Sequence, residues 1–124
     1  MLKKFICIIF LLLILPVHAV ELENIIMTHH GKVLLYLYTN DCAYCTKFNP
    51  IYEKLVKKFE NKCTFIKLDA QTEKGNYLMY ETRANYVPNV VILDTSKHTM
   101  GKLDPVCLLN EACINKTMNT FINQ

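Results

Sequence analysis

Little net charge is left in this chain once its first residues are set aside. The full 124 residues carry 14 Lys and Arg against 11 Asp and Glu, a formal +3. Lys3 and Lys4 supply two of those positive charges, and without residues 1–19 the balance falls to +1. No basic stripe remains, which excludes the electrostatic footprint of a nucleic-acid-binding surface. No long hydrophobic run exists either. Residues 5–15 form an uninterrupted apolar stretch of only eleven, where a spanning helix needs about 20. With three glycines and four prolines in all, there is no low-complexity linker, and no internal repeat is visible. The length allows one domain and no second core.

The first 19 residues read as a targeting segment. Lys3 and Lys4 form a basic n-region, residues 5–15 an apolar h-region, and Pro16 breaks the helix before a Val-x-Ala cleavage site at Val17-His18-Ala19. An uncleaved anchor is the alternative, disfavoured by the shortness of the run. Cys7 lies near the start of the h-region and not after it, which argues against lipoprotein-type cleavage there. The expected organisation is a signal peptide over residues 1–19 and one domain over 20–124. The protein is expected to be exported, periplasmic or secreted, and monomeric.

Five cysteines then remain: Cys42, Cys45, Cys63, Cys107 and Cys113. An oxidising compartment makes disulfides available to them, and an odd number leaves at least one free or paired between molecules. Cys42-Ala43-Tyr44-Cys45 follows the apolar run 33–38 and precedes a helical pattern. The first sulfur is thereby expected at a helix N-terminus, where unpaired N–H groups and the helix dipole favour an anion and lower the thiol pKa. The second is expected one turn inside, close enough to resolve a mixed disulfide. A purely structural staple is the bland reading, but so small a loop constrains the unfolded chain little.

Periodicity places the elements. Leu22, Ile25, Ile26 and His29 have helical spacing, with Gly31 as the stop. Residues 33–38 read as a strand buried on both faces, and 39–41 supply turn and capping chemistry. Phe48, Ile51, Tyr52, Leu55, Val56 and Phe59 mark a helix from Cys42 onward, with Pro50 removing one hydrogen bond inside it. A strand over 64–68, a short helix over 76–83, a third strand over 90–93 and a fourth near 99–103 follow. Asn110 caps a last helix whose inward face is Ile114, Met118, Phe121 and Ile122. The order α-β-α-β-α-β-β-α describes an α/β fold with a small central mixed sheet flanked by helices.

Three marks together give a family resemblance: Cys42-x-x-Cys45 after a buried strand, Pro50 five residues beyond Cys45, and Val87-Pro88 opening the third core strand. With these, residues 32–124 resemble the thioredoxin superfamily. The resemblance implies the thioredoxin fold and dithiol–disulfide exchange with cysteine-containing protein substrates, using no cofactor beyond the dithiol. Cys42 would attack and Cys45 resolve. Pro88 would be the cis proline facing them, with Val87 pairing its backbone to the substrate and Ala43 and Tyr44 completing the contact. A redox partner would recycle the dithiol. Two positions depart from the common pattern. Asp41 stands where a tryptophan is usual, and Tyr36 where a buried aspartate assists the resolving cysteine; Asp69 and Lys67 are the candidates to replace that aspartate. The dipeptide Ala43-Tyr44 looks like isomerases and glutaredoxins, while valine before the proline looks like strong oxidants. The direction of electron flow stays open.

Cys107 and Cys113 are too far apart to bridge on one continuous helix, about 9 Å at ~1.5 Å per residue. A structural disulfide therefore requires Cys107 to precede the helix and Cys113 to sit in its first turn, as the Asn110 cap allows. Cys63 reads as a small buried hydrophobe. His29 and His30 suit a helix C-terminus better than a zinc site, because their spacing is wrong for Cys₂His₂. Tyr44, Tyr77, Tyr80 and Tyr86 are candidates for an apolar rim. A non-enzymatic binding module on the same scaffold, and a copper or zinc chaperone, are the rival readings.

Overall fold

The computed structural model describes residues 21–124. The proposed signal segment lies outside the described residues. Helix α1 spans Glu21–Thr28, strand β1 Lys32–Tyr38, helix α2 Ala43–Phe59 and strand β2 Thr64–Asp69. Helix α3 spans Glu73–Glu81, β3 Asn89–Asp94, β4 Thr99–Lys102, α4 Pro105–Leu108 and α5 Glu111–Ile122. The sheet order is β2-β1-β3-β4. Strands β1 and β2 run parallel, while β1–β3 and β3–β4 are antiparallel, with Tyr36 opposite both Lys67 and Val90.

Strand β1 is central and apolar throughout because both of its faces are covered. Leu34 and Tyr36 point to one side, where Phe48, Tyr52, Leu55 and Phe59 of α2 and Ile114, Met118 and Phe121 of α5 meet Val90. Val33, Leu35 and Leu37 point to the other, against Ile25 of α1, Leu78 of α3 and Val91 and Leu93. The strand's period of two splits its side chains between these two cores. Helix α2, which carries the C-x-x-C, is thus seated directly on Tyr36.

The structure corrects several boundaries and adds one element. Helix α1 ends at Thr28 and not at His30, and Gly31 turns the chain at φ +96°. Helix α3 begins at Glu73 and not at Asn76, because the Thr72 hydroxyl caps it by accepting the Gly75 N–H at 3.1 Å. The added element is α4, a single turn between β4 and α5. Asp104 caps it, its Oδ1 accepting the Val106 N–H at 2.7 Å, and Pro105 occupies its first position. Four residues are too few to show periodicity. The expected Asn110 cap of α5 is present, with Oδ1 accepting the Cys113 N–H at 3.1 Å.

Candidate active site

Cys42 and Cys45 are joined as a disulfide, their Cα atoms 5.2 Å apart. The chain turns into α2 through Thr39, whose carbonyl accepts the Cys42 N–H. The cap that follows differs from expectation. Cys42 itself is the N-cap residue, in extended conformation, and its Sγ accepts the Cys45 N–H at 3.0 Å. Asp41, expected among the capping residues, is exposed beside it. The first sulfur of the motif therefore occupies the place where a helix accepts an anion. Cys42 is half-buried and Cys45 only 1% exposed, so reagents in solution reach the first and not the second.

Beneath the pair lies Tyr36, fully buried. Its hydroxyl donates to Asn49 Oδ1 at 2.9 Å and lies 3.4 Å from the Cys45 carbonyl oxygen. The ring packs edge-on against Phe48 at 5.0 Å and tilted against Tyr52 at 5.1 Å. Burial, with the neighbouring Tyr38 and Tyr52, pushes its pKa far above the phenol range. Tyr36 is a neutral donor at any working pH. Lys67, one of the two candidates for a proton-relay role, places its ammonium 4.9 Å from the Tyr38 ring centre and 5.5 Å from that of Tyr36. The other, Asp69, turns its carboxylate to the Gln71 N–H at 2.9 Å, in the β2–α3 connection.

The Val87–Pro88 bond is cis, as the resemblance implies. Beside it opens a groove of about 380 Å³. Three segments line it: Tyr44 of α2, then Tyr86, Val87 and Pro88 ahead of β3, and last Pro105, Val106 and Leu109 at α4, the far wall in chain order. The structure thus brings together Tyr44, Tyr86, Val87 and Pro88. Ala43 is exposed at the start of α2 and does not line the groove. Tyr77 and Tyr80 belong to α3 and do not line it either. The far wall was missed by sequence reasoning. Asp104-Pro105, a cap followed by proline at the first helical position, was the available signal.

Cys107 and Cys113 form the second disulfide, with Cα atoms 5.3 Å apart, linking α4 to the first turn of α5. Cys63 is a free, buried thiol whose pKa is pushed up to about 11 by burial, against smaller opposing effects of the Leu34 backbone and Lys32. Among the described residues, no group of three or more His, Cys, Asp or Glu is placed to hold a metal ion.

The thioredoxin family model matches residues 14–111. The chain belongs to the thioredoxin family. A thioredoxin from Borreliella burgdorferi is 46% identical over 37 residues, and the match spans 30% of this chain and 32% of that protein. Among solved structures, thioredoxin from Trypanosoma brucei brucei superposes with a TM-score of 0.67 at 18% identity, covering 86% of this chain and 88% of that one. Mitochondrial thioredoxin 3 from Saccharomyces cerevisiae, in its oxidised form, gives 0.65 at 20% identity over 81% and 87% of the two chains. At those identities the likeness is one of fold. Within that thioredoxin fold, Tyr36 fills with a neutral hydroxyl the place expected to hold a buried carboxylate, and the Cys107–Cys113 bridge braces the far side of the groove.

Proposed function

We propose that this thioredoxin-family protein is an exported thiol:disulfide oxidoreductase that exchanges disulfides with protein substrates through Cys42 and Cys45. One observation carries the reading: Cys42 Sγ caps α2 and accepts the Cys45 N–H, and Tyr44 between the two cysteines lines an apolar groove with the cis Val87–Pro88. In the reducing direction, the Cys42 thiolate attacks one sulfur of a substrate disulfide. A Cys42–substrate disulfide forms and the other substrate sulfur leaves as a thiolate. The Cys45 thiolate, having released its proton, then attacks Cys42 Sγ, and the second substrate sulfur leaves. Substrate gains two electrons, and the protein ends with the Cys42–Cys45 disulfide. The same steps reversed oxidise a dithiol, so the potential of the couple sets the direction.

The substrate chain lies across Tyr44, Val87 and Pro88, and the Val87 backbone pairs with it as a short piece of strand. No cofactor beyond the dithiol is required. A partner carrying its own reactive dithiol or disulfide restores the starting state. Export is supported by the basic, apolar and cleavage-site pattern of residues 1–19 and by the Cys107–Cys113 bridge, which has no part in the exchange.

Insulin reduction driven by a small dithiol tests the activity. Cys42→Ser is expected to abolish it, and Cys45→Ser to accumulate mixed disulfides with substrate. A wild-type chain with no activity above the dithiol alone would leave a binding module whose C-x-x-C is merely oxidised, and full activity in Cys42→Ser would refute Cys42 as the attacking sulfur. Expression of the full chain with N-terminal sequencing of the product tests cleavage after Ala19.

A further inference from the structure

The function proposed above leaves the far wall of the groove without a role, and that wall is unusual in construction. Val106 is 81% exposed, on a helix of a single turn. A helix that short has no stability of its own, because nucleation costs more than one turn returns. It is held in place by three features. Asp104 caps its start, Leu108 is buried beneath it, and the Cys107–Cys113 bridge ties it to α5. An exposed valine is thus fixed in a groove lining that it shares with Tyr44 and Tyr86, which are themselves 60% and 52% exposed. Three large apolar side chains left open to water line one groove, and among the described residues no charged side chain lines it.

We propose that Val106, presented by the disulfide-braced α4, is a specificity-determining residue that selects an apolar side chain next to the substrate cysteine. The proposal rests on the exchange activity assigned to Cys42 and Cys45 and names the substrate class of that same site. Its occupant is an extended, cysteine-containing segment of a partner protein. The groove begins at Tyr44, inside the C-x-x-C loop itself. A substrate sulfur bonded to Cys42 therefore leaves its neighbouring residue at the groove mouth. A polar or charged side chain placed there loses water with no charged or amide partner in return, while an apolar one covers Val106, Tyr44 and Tyr86 together. Cys107 and Cys113 act as positioning residues. They touch no substrate and act only by keeping Val106 in the wall.

The test uses two oxidised peptide dimers, one with leucine on both sides of its cysteine and one with glutamine there. Reduced protein is mixed with each, quenched with an alkylating agent, and read by mass spectrometry. Attack by Cys42 gives a Cys42–peptide disulfide and one peptide thiol; attack by Cys45 then releases the second peptide thiol. The wild-type chain is expected to react faster with the leucine peptide. Val106→Ser is expected to lower that preference roughly tenfold, the scale on which an apolar pocket discriminates small side-chain differences. Met27→Ser, at another exposed apolar site, on α1 and away from the groove lining, is expected to leave the preference unchanged. Cys107→Ser/Cys113→Ser is expected to lose the preference as Val106→Ser does. If that double variant does not fold, Val106→Ser alone decides. A wild-type chain that reacts with both peptides at equal rates, or a Val106→Ser variant that keeps the full preference, overturns the proposal while leaving the exchange activity standing. A wild-type chain that reacts with neither peptide overturns the exchange activity and this inference with it.

Discussion

Selective alkylation of the reduced protein separates the three cysteines of the main core by ionisation and access. Cys63 titrates at about 11, whereas Cys42 at a helix N-terminus should titrate no higher than the roughly 8.5 of a free thiol. At about pH 8 the first is then roughly one part in a thousand thiolate and the second at least about a quarter, a ratio of about 200. The more basic thiolate is the better nucleophile. With a Brønsted slope of about 0.4–0.5, the gap of about 2.5 pKa units returns roughly tenfold to Cys63, leaving Cys42 ahead by about 20-fold. Access widens the difference, since Cys63 is 5% and Cys45 1% exposed while Cys42 is half-buried. Reduced protein treated with iodoacetamide and mapped by peptide mass spectrometry should therefore carry the label at Cys42 first. Raising the pH should narrow its lead over Cys63, because Cys42 is then already ionised while the Cys63 thiolate still gains about tenfold per unit. Labelling of Cys63 or Cys45 within a few-fold of Cys42 at about pH 8, or a lead that does not narrow, would refute the placement of Cys42 as the activated sulfur.

Three further outcomes are expected. Asp41→Asn removes a negative charge beside Cys42, so Cys42 should alkylate faster at fixed pH and the couple should become more oxidising against glutathione; an unchanged potential would show that the carboxylate does not act on the sulfur. The Asp94 carboxyl is held below its ordinary range chiefly by the hydrogen bond from Lys32, with help from the Lys97 and Ser96 backbone. A depressed carboxyl pKa contributes stability above the ordinary value of about 3.9 and loses it as pH falls through the depressed one, so Asp94→Asn should be less stable than wild type near neutrality and the gap should close in acid, read by urea unfolding across pH. At Gly75 an added Cβ would collide with the Asp69 carbonyl and crowd the Ala70 backbone, neither able to move like a side chain end; Gly75→Ala should cost about 2 kcal/mol by denaturant titration, and a loss below about 0.5 kcal/mol would show that the β2–α3 turn shifts freely.

What could be read from the chain follows the range of the interactions involved. Strand β1 was legible because a strand covered on both faces must be apolar at every position, and α2 because its five buried residues recur at helical spacing. The Cys42-x-x-Cys45 pair was legible as a motif, whereas the cis isomer of Val87–Pro88 was implied only by the family resemblance and is seen in the fold. Features set by single contacts were lost. The start of α3 depends on one Thr72 hydroxyl, and the cap of α2 on a cysteine sulfur in place of the oxygen acceptors offered by residues 39–41. Four tyrosines looked equivalent as a rim, and only the fold decides that Tyr44 and Tyr86 reach the groove while Tyr77 and Tyr80 ride on α3. The partner of Tyr36 was invisible for the same reason, since Asn49 reaches it only when α2 lies across β1.

The two disulfides show how one covalent bond takes two different characters from its surroundings. Both place their second cysteine in the first turn of a helix: Cys45 as the third residue of α2 and Cys113 as the third of α5. Both close short loops, of sequence separation 3 and 6, so chain entropy separates them little. The difference lies in what accepts the helix's free N–H. In α2 the Cys45 N–H is accepted by the sulfur of Cys42, so reduction leaves a thiolate already hydrogen-bonded at the positive end of the helix. In α5 the Cys113 N–H is accepted by Asn110, whose amide oxygen fills that place whether the bridge is intact or not. Ionisation of Cys107 or Cys113 therefore gains nothing from the cap. A stabilised thiolate favours the reduced state and makes the pair a better oxidant; a thiol without that help leaves its disulfide harder to open. The cap residue, cysteine in one helix and asparagine in the other, thus sets Cys42–Cys45 toward exchange and Cys107–Cys113 toward permanence.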